Sequence, residues 1–227
     1  SYLQHNKKPR LLLQNLDIQS FVLTKPGDIF DPASYVPYLD DSAIYSCLSQ
    51  ISPQLWKWKY LPLYAYATED TLFTWTVGLR TLCGLGPQEP CFEGFCPMQK
   101  SWTNEFDQFK RAHPQGIEVP IDAGAVAALK ELIAVCEHEK IKLVLVYSPQ
   151  YQEMIGLTRN RAEIFALFTS IAEQSKIPLL DYTHSPISQT REYFYNSQHL
   201  NARGAAIFSE DLAQKLVASG AIALRPD

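Results

Sequence analysis

The run Ile141-Lys142-Leu143-Val144-Leu145-Val146-Tyr147 decides the fold: so nearly continuous an apolar stretch suits a strand covered on both faces. Upstream, Asp122 is placed to cap a helix whose apolar positions Ala125, Val126, Leu129, Leu132, Ile133 and Cys136 keep to one side. Downstream, Ile164, Phe165, Phe168, Ile171 and Ala172 make one stripe on a second helix, about Arg161 to Gln174, and a short strand follows at Ile177 to Asp181. A last helix, about Ala202 to Ser219, turns Ala205, Phe208, Leu212, Leu216 and Val217 inward. Helix and strand alternating in this way imply right-handed crossovers and a parallel sheet between helices.

Near the start, Arg10 to Asp17 (RLLLQNLD) reads as another buried strand after Pro9. Three strands are few for a three-layer α/β/α fold with a flavodoxin-like sheet, which usually has about five. The expectation is therefore a single α/β domain over residues 1–227 whose sheet lacks its N-terminal strand or strands. Residues 25–120 collect all four tryptophans (Trp56, Trp58, Trp75, Trp102) with many tyrosines and prolines, and read as an aromatic-rich insertion covering the carboxyl edge of the sheet. Asp41 to Gln54 and Thr68 to Leu82 are its expected helices. Its rings suit either the packing of an irregular segment or stacking on sugars.

With 227 residues, 46% of them hydrophobic, the chain can bury a sizeable core. A net charge of -4 with scattered Lys and Arg excludes the basic surface that nucleic-acid binding needs. No stretch reaches the roughly 18 to 20 apolar residues of a membrane span, and the N-terminal SYLQHNKKPR has no apolar signal core. Of the five cysteines, Cys136 falls on a helix's apolar face, and Cys47 stands apart. Cys83, Cys91 and Cys96 share a Gly/Pro-rich loop whose spacing favours a disulfide over zinc, for which a fourth ligand is lacking.

In a parallel sheet, ligands gather at the carboxyl ends of the strands. Asp17, Ser148 and Asp181 close the three expected strands, and each is equally suited to a turn or cap. His199 lies just before the last helix, whose positive end disfavours imidazolium and keeps the ring neutral, as a general base near pH 7 requires. No Gly-rich phosphate loop follows any strand, so a nucleotide is not expected, and nothing implies a metal or organic cofactor.

The block Phe194-Tyr195-Asn196-Ser197-Gln198-His199-Leu200-Asn201-Ala202-Arg203-Gly204-Ala205, with PRLLLQNLDIQSF, GFCPMQKSW (Gly94 to Trp102), IKLVLVYSPQY and IPLLDYTHSP, resembles SGNH (GDSL-like) hydrolases. The similarity is to the DltD-like and alginate-acetylation-like members of bacterial cell envelopes, and it covers their C-terminal two-thirds. It implies an esterase or O-acyltransferase acting on an acylated envelope carbohydrate, or a catalytically silent relative that binds a glycan or a membrane-bound acyltransferase partner. It also implies an extracytoplasmic location. In that family a histidine at the position of His199 activates a serine, and an aspartate three residues earlier orients the ring. Here Asn196 occupies that position, and Asp181 is the alternative orienter. Gln19 or Asn15 is the expected oxyanion-hole amide. None of the ten glycines is followed two residues on by serine, so the nucleophile block is expected upstream of this sequence.

Overall fold

The central strand β2, Lys142–Tyr147, forms where sequence and environment agree, since Leu143 to Tyr147 are all buried. In the computed structural model, which describes residues 2–22, 29, 32–61, 64, 71–85, 95–97 and 99–222, β2 lies between β1 (Leu11–Asn15) and β3 (Leu179–Asp181). Both pairings are parallel, with Asn15 opposite Val146 and Tyr147 opposite Asp181. Alternate residues of β2 meet different helices. Val144 and Val146 pack with Tyr182 and with Leu216 of the terminal helix Ala202–Ala218. Tyr147 meets Phe165 of the helix Arg161–Gln174 at 4.7 Å between ring centroids. The protein is thus mixed α/β with, among the described residues, a three-stranded parallel sheet.

Turn chemistry sets the strand starts. The helices Ala123–His138 and Arg161–Gln174 end in the same way: the amide of Ile141 bonds the Cys136 carbonyl and that of Ile177 bonds the Ala172 carbonyl. Lys140 and Lys176 take the left-handed position, φ 56° and 54°, that glycine usually fills at such a helix end. Ile177, read from the sequence as strand, is consumed by this turn, so β3 begins only at Leu179. At its other end Ala123–His138 is capped as expected, the Asp122 carboxylate accepting from the Gly124 amide at 2.8 Å.

By internal contacts the chain divides into one unit of residues 1–7 and 24–92 and another of 8–23 and 93–227. Residues 25–92 fall in the first unit and 93–120 in the second. Residues 99–120 belong with the sheet because Trp102 and Phe106 pack into a cluster with Tyr151, Met154 and Phe194, anchoring a helix, Glu105–Ala112, absent from the sequence reading. The other unit contains the helices Ser42–Ile51, Leu55–Tyr60 and Thr71–Leu82. Ser42–Ile51 stops short of the expected Gln54 because Ser52 precedes Pro53 and takes an extended conformation. A small cluster of Leu39, Leu48 and Leu55, with Trp58 against it, forms this unit's described core, while Trp56 and Trp75 are exposed. Thr68 to Asp70, Cys91 and Gly94 lie outside the described residues.

Candidate functional site

The block Phe194 to Asn201 folds as a tight loop. Phe194 and Leu200 form an antiparallel bridge, the Tyr195 amide donates to the His199 carbonyl at 3.1 Å, and the Asn201 amide donates to the Tyr193 carbonyl at 2.9 Å. Its base rests on the aromatic cluster through buried Phe194. One further bond ties it to the sheet: the amide of Tyr151, four residues beyond β2, donates to the Ser197 carbonyl at 3.0 Å. Asn201 caps the terminal helix, accepting from the Gly204 amide at 3.0 Å, and its own amide group donates to the Glu192 carbonyl.

Inside the loop, Asn196 and His199 are paired. Asn196 Oδ1 accepts from the backbone amides of Gln198 (3.0 Å) and His199 (2.8 Å), and lies 3.0 Å from His199 Nδ1. The two backbone donors fix the amide's orientation, because a flipped NH₂ would face two N–H groups. With oxygen facing the ring, Nδ1 must be the donor. The neutral imidazole then keeps its lone pair on Nε2, the arrangement a general base uses. Tyr195 stacks on the ring, with centroids 5.6 Å apart and planes 11° from parallel, and the imidazole stays exposed. This stack has no signature in the sequence beyond two rings four residues apart.

The other expected site residues fall into separate groups. Asn15 and Ser148 engage each other: the Ser148 hydroxyl donates to Asn15 Oδ1 at 2.6 Å, and the Ser148 amide approaches the same oxygen at 3.3 Å. Asp17 caps the short helix Ile18–Phe21 through the Gln19 amide and accepts from Gln150 Nε2 at 3.2 Å. Gln150 in turn accepts from the Tyr147 hydroxyl at 2.9 Å. Burial, followed by the charges of Asp17 and Asp181, pushes the Tyr147 phenol far above its usual range, so it remains a neutral donor. These contacts satisfy polar groups where β1 and β2 end.

Asp181 accepts from the Thr183 amide at 2.8 Å and faces a cavity of about 370 Å³ shared with His184 and Arg161. No hydrogen bond joins it to His199 among the described residues. Gln19, in contrast, lines a cleft of about 640 Å³ together with Asn196, Ser197, Gln198, Phe106 and Met154. One expected oxyanion residue and one expected orienting residue therefore share a cavity, while Asn15 and Ser148 are occupied elsewhere.

Among the described residues no three metal-ligating side chains converge, and no helix is long and apolar enough to cross a membrane. Cys96 is disulfide-bonded, and Cys47, Cys83 and Cys136 are free thiols. Comparison of the chain with protein-family models, with curated proteins and with solved structures finds no match in any of the three.

Proposed function

We propose that the chain is an SGNH-like domain, a three-layer α/β/α fold with a flavodoxin-like sheet and an aromatic-rich insertion, which performs acyl transfer as an esterase or O-acyltransferase on an acylated cell-envelope carbohydrate. The observation that carries this reading is the fixed Asn196–His199 pair. In the proposed reaction His199 Nε2 takes the proton of a serine hydroxyl from outside this sequence as its oxygen attacks the acyl carbonyl. It then returns that proton to the departing alkoxide, and water or a sugar hydroxyl completes the transfer in the same manner. Gln19, in the adjoining cleft, is the candidate donor to the oxyanion. The disulfide at Cys96 supports an extracytoplasmic setting.

A second reading has its own observation. Asn196 carries two backbone amides, a turn-forming role that accounts for it without catalysis, and a neutral amide cannot stabilise imidazolium as a carboxylate does. In serine triads the loss of that charge costs roughly four orders of magnitude in rate. A silent module that binds a glycan or a membrane-bound acyltransferase partner follows from this. Fluorophosphonate labelling of the longest natural form of the protein, beside His199→Ala, separates the two. Labelling that disappears in His199→Ala is the expected result; a folded protein that never labels leaves only the binding module.

A further inference from the structure

At the two ends of the loop, Phe194 and Asn201 line a second cavity, of about 740 Å³, with Lys100, Trp102, Arg191, Glu192, Ala202 and Arg203 among others. Three cations and one carboxylate are its charged residues, in a chain whose net charge is -4. The cations are poorly neutralised. Arg203 is 3.9 Å from Glu192, Arg191 is 3.8 Å from Asp107, and Lys100 has no carboxylate partner among the described residues. Pairs of this length at exposed side chains contribute little.

Two further features favour an anion here. The terminal helix has no acidic residue in its first turn and places Arg203 there, a cation against the positive end of a 17-residue helix. The Gly204 amide is taken by Asn201, but those of Ala202 and Arg203, both cavity-lining residues, find no acceptor among the described residues. Independently, Trp102 Nε1 is buried without a hydrogen-bond partner, while the Arg191 guanidinium sits 4.5 Å from the ring centroid. Lys100 and the two first-turn amides lack an acceptor among the described residues, and Arg191 and Arg203 have only long pairs at exposed side chains, so an anionic oxygen is a partner these cavity-lining groups can take.

We propose that this cavity binds an oxyanion, the carboxylate or phosphate of a ligand, through Lys100, Arg203, the first-turn amides and Arg191, whose guanidinium on the Trp102 ring makes that indole the reporter. The site does not depend on the acyl-transfer reading, although Asn201, which also lines it, stands two residues from His199. The test is a ¹H–¹⁵N NMR titration of the 227-residue chain with inorganic phosphate and, separately, with galacturonate, using galactose as the neutral control. The Trp102 indole cross-peak is assigned with Trp102→Phe. The expected result is a saturable shift of that peak which weakens about tenfold or more in a Lys100→Gln/Arg203→Gln double variant of unchanged melting temperature. Saturation by phosphate alone assigns a phosphoryl group, by galacturonate alone a carboxylate, and by both a site that reads charge. An equal response to galactose, equal affinity in the double variant, or no shift in a folded protein overturns the proposal.

Discussion

Gly204 offers the sharpest test of how the His199 loop meets the terminal helix. A Cβ added there would stand 2.8 Å from the Tyr193 Cβ and closer still to the Tyr193 carbonyl oxygen, against the 3.5 to 4 Å of ordinary carbon contacts. The oxygen cannot retreat freely, since it accepts from the Asn201 amide at 2.9 Å. Overpacking of a buried site costs about 1 to 3 kcal/mol, and backbone on the receiving side argues for the upper end. Losing the Asn201 bond adds about 1 kcal/mol. The better helix propensity of alanine returns about 1 kcal/mol. Gly204→Ala is therefore expected to destabilise by about 3 kcal/mol, or to lower Tm by about 6 to 12 °C for a chain of this size. Urea unfolding followed by circular dichroism measures it. Gly78→Ala is the control: it lies in the helix Thr71–Leu82 with nothing within 4 Å of its added Cβ and should not destabilise. A Gly204→Ala protein as stable as wild type would refute the close approach and the loop's seating on the helix.

Replacing Asn196 splits its two roles. On the acyl-transfer reading, Asn196→Asp, which keeps the oxygen that accepts three hydrogen bonds and adds a carboxylate charge, should accelerate His199-dependent fluorophosphonate labelling of the longest natural form by about tenfold or more; Asn196→Ala should abolish it and slacken the loop. Asp122→Ala removes the cap of the helix Ala123–His138 and should cost about 1 kcal/mol in denaturant unfolding. Lys140→Gly relieves a left-handed lysine and should gain about 0.5 to 1 kcal/mol, measured in the same way. The pair Lys110–Glu153, at 2.6 Å, gives a pH signature. The hydrogen bond from Lys110, helped by that from Tyr151, holds the Glu153 carboxyl below the usual carboxylate range. A depressed folded pKa stabilises above the unfolded value and is lost as pH falls through the folded one. The Tm difference between wild type and Glu153→Gln should thus be full near neutrality and shrink below about pH 4.3, the ordinary glutamate value.

The sheet was legible where one physical effect dominates. Burial on both faces makes β2 apolar from Leu143 to Tyr147, and amphipathic spacing reveals the helices that meet it. β3 was read too long because Ile177 looks like strand in composition, whereas its backbone closes a helix; a left-handed Lys176 leaves no mark in the sequence. Asn196 and His199 were legible as a pair through the resemblance to SGNH hydrolases, in which an aspartate stands three positions before the histidine, and the hydrogen bond between them is local enough for that spacing to fix. Asn15, Asp17 and Ser148 were visible as strand-end polar residues, but whether such a residue faces a ligand or a neighbouring strand end depends on contacts across about 130 residues, such as those between Asn15 and Ser148 and between Asp17 and Gln150. Where the aromatic residues pack was hidden for a similar reason: Trp102 joins Tyr151 and Phe194, residues distant in the chain.

The Asn196–His199 pair is stitched together inside a loop that its own ends close, by the Phe194–Leu200 bridge and the Tyr195 amide on the His199 carbonyl. Closing so short a segment costs little chain entropy and belongs to the microsecond events of folding, not to the slow search that aligns parallel strands. The ring's tautomer is therefore chosen by local geometry. Substitutions in β1 or β3 touch none of the hydrogen bonds that hold the pair, so imidazole orientation and sheet integrity can be perturbed one at a time.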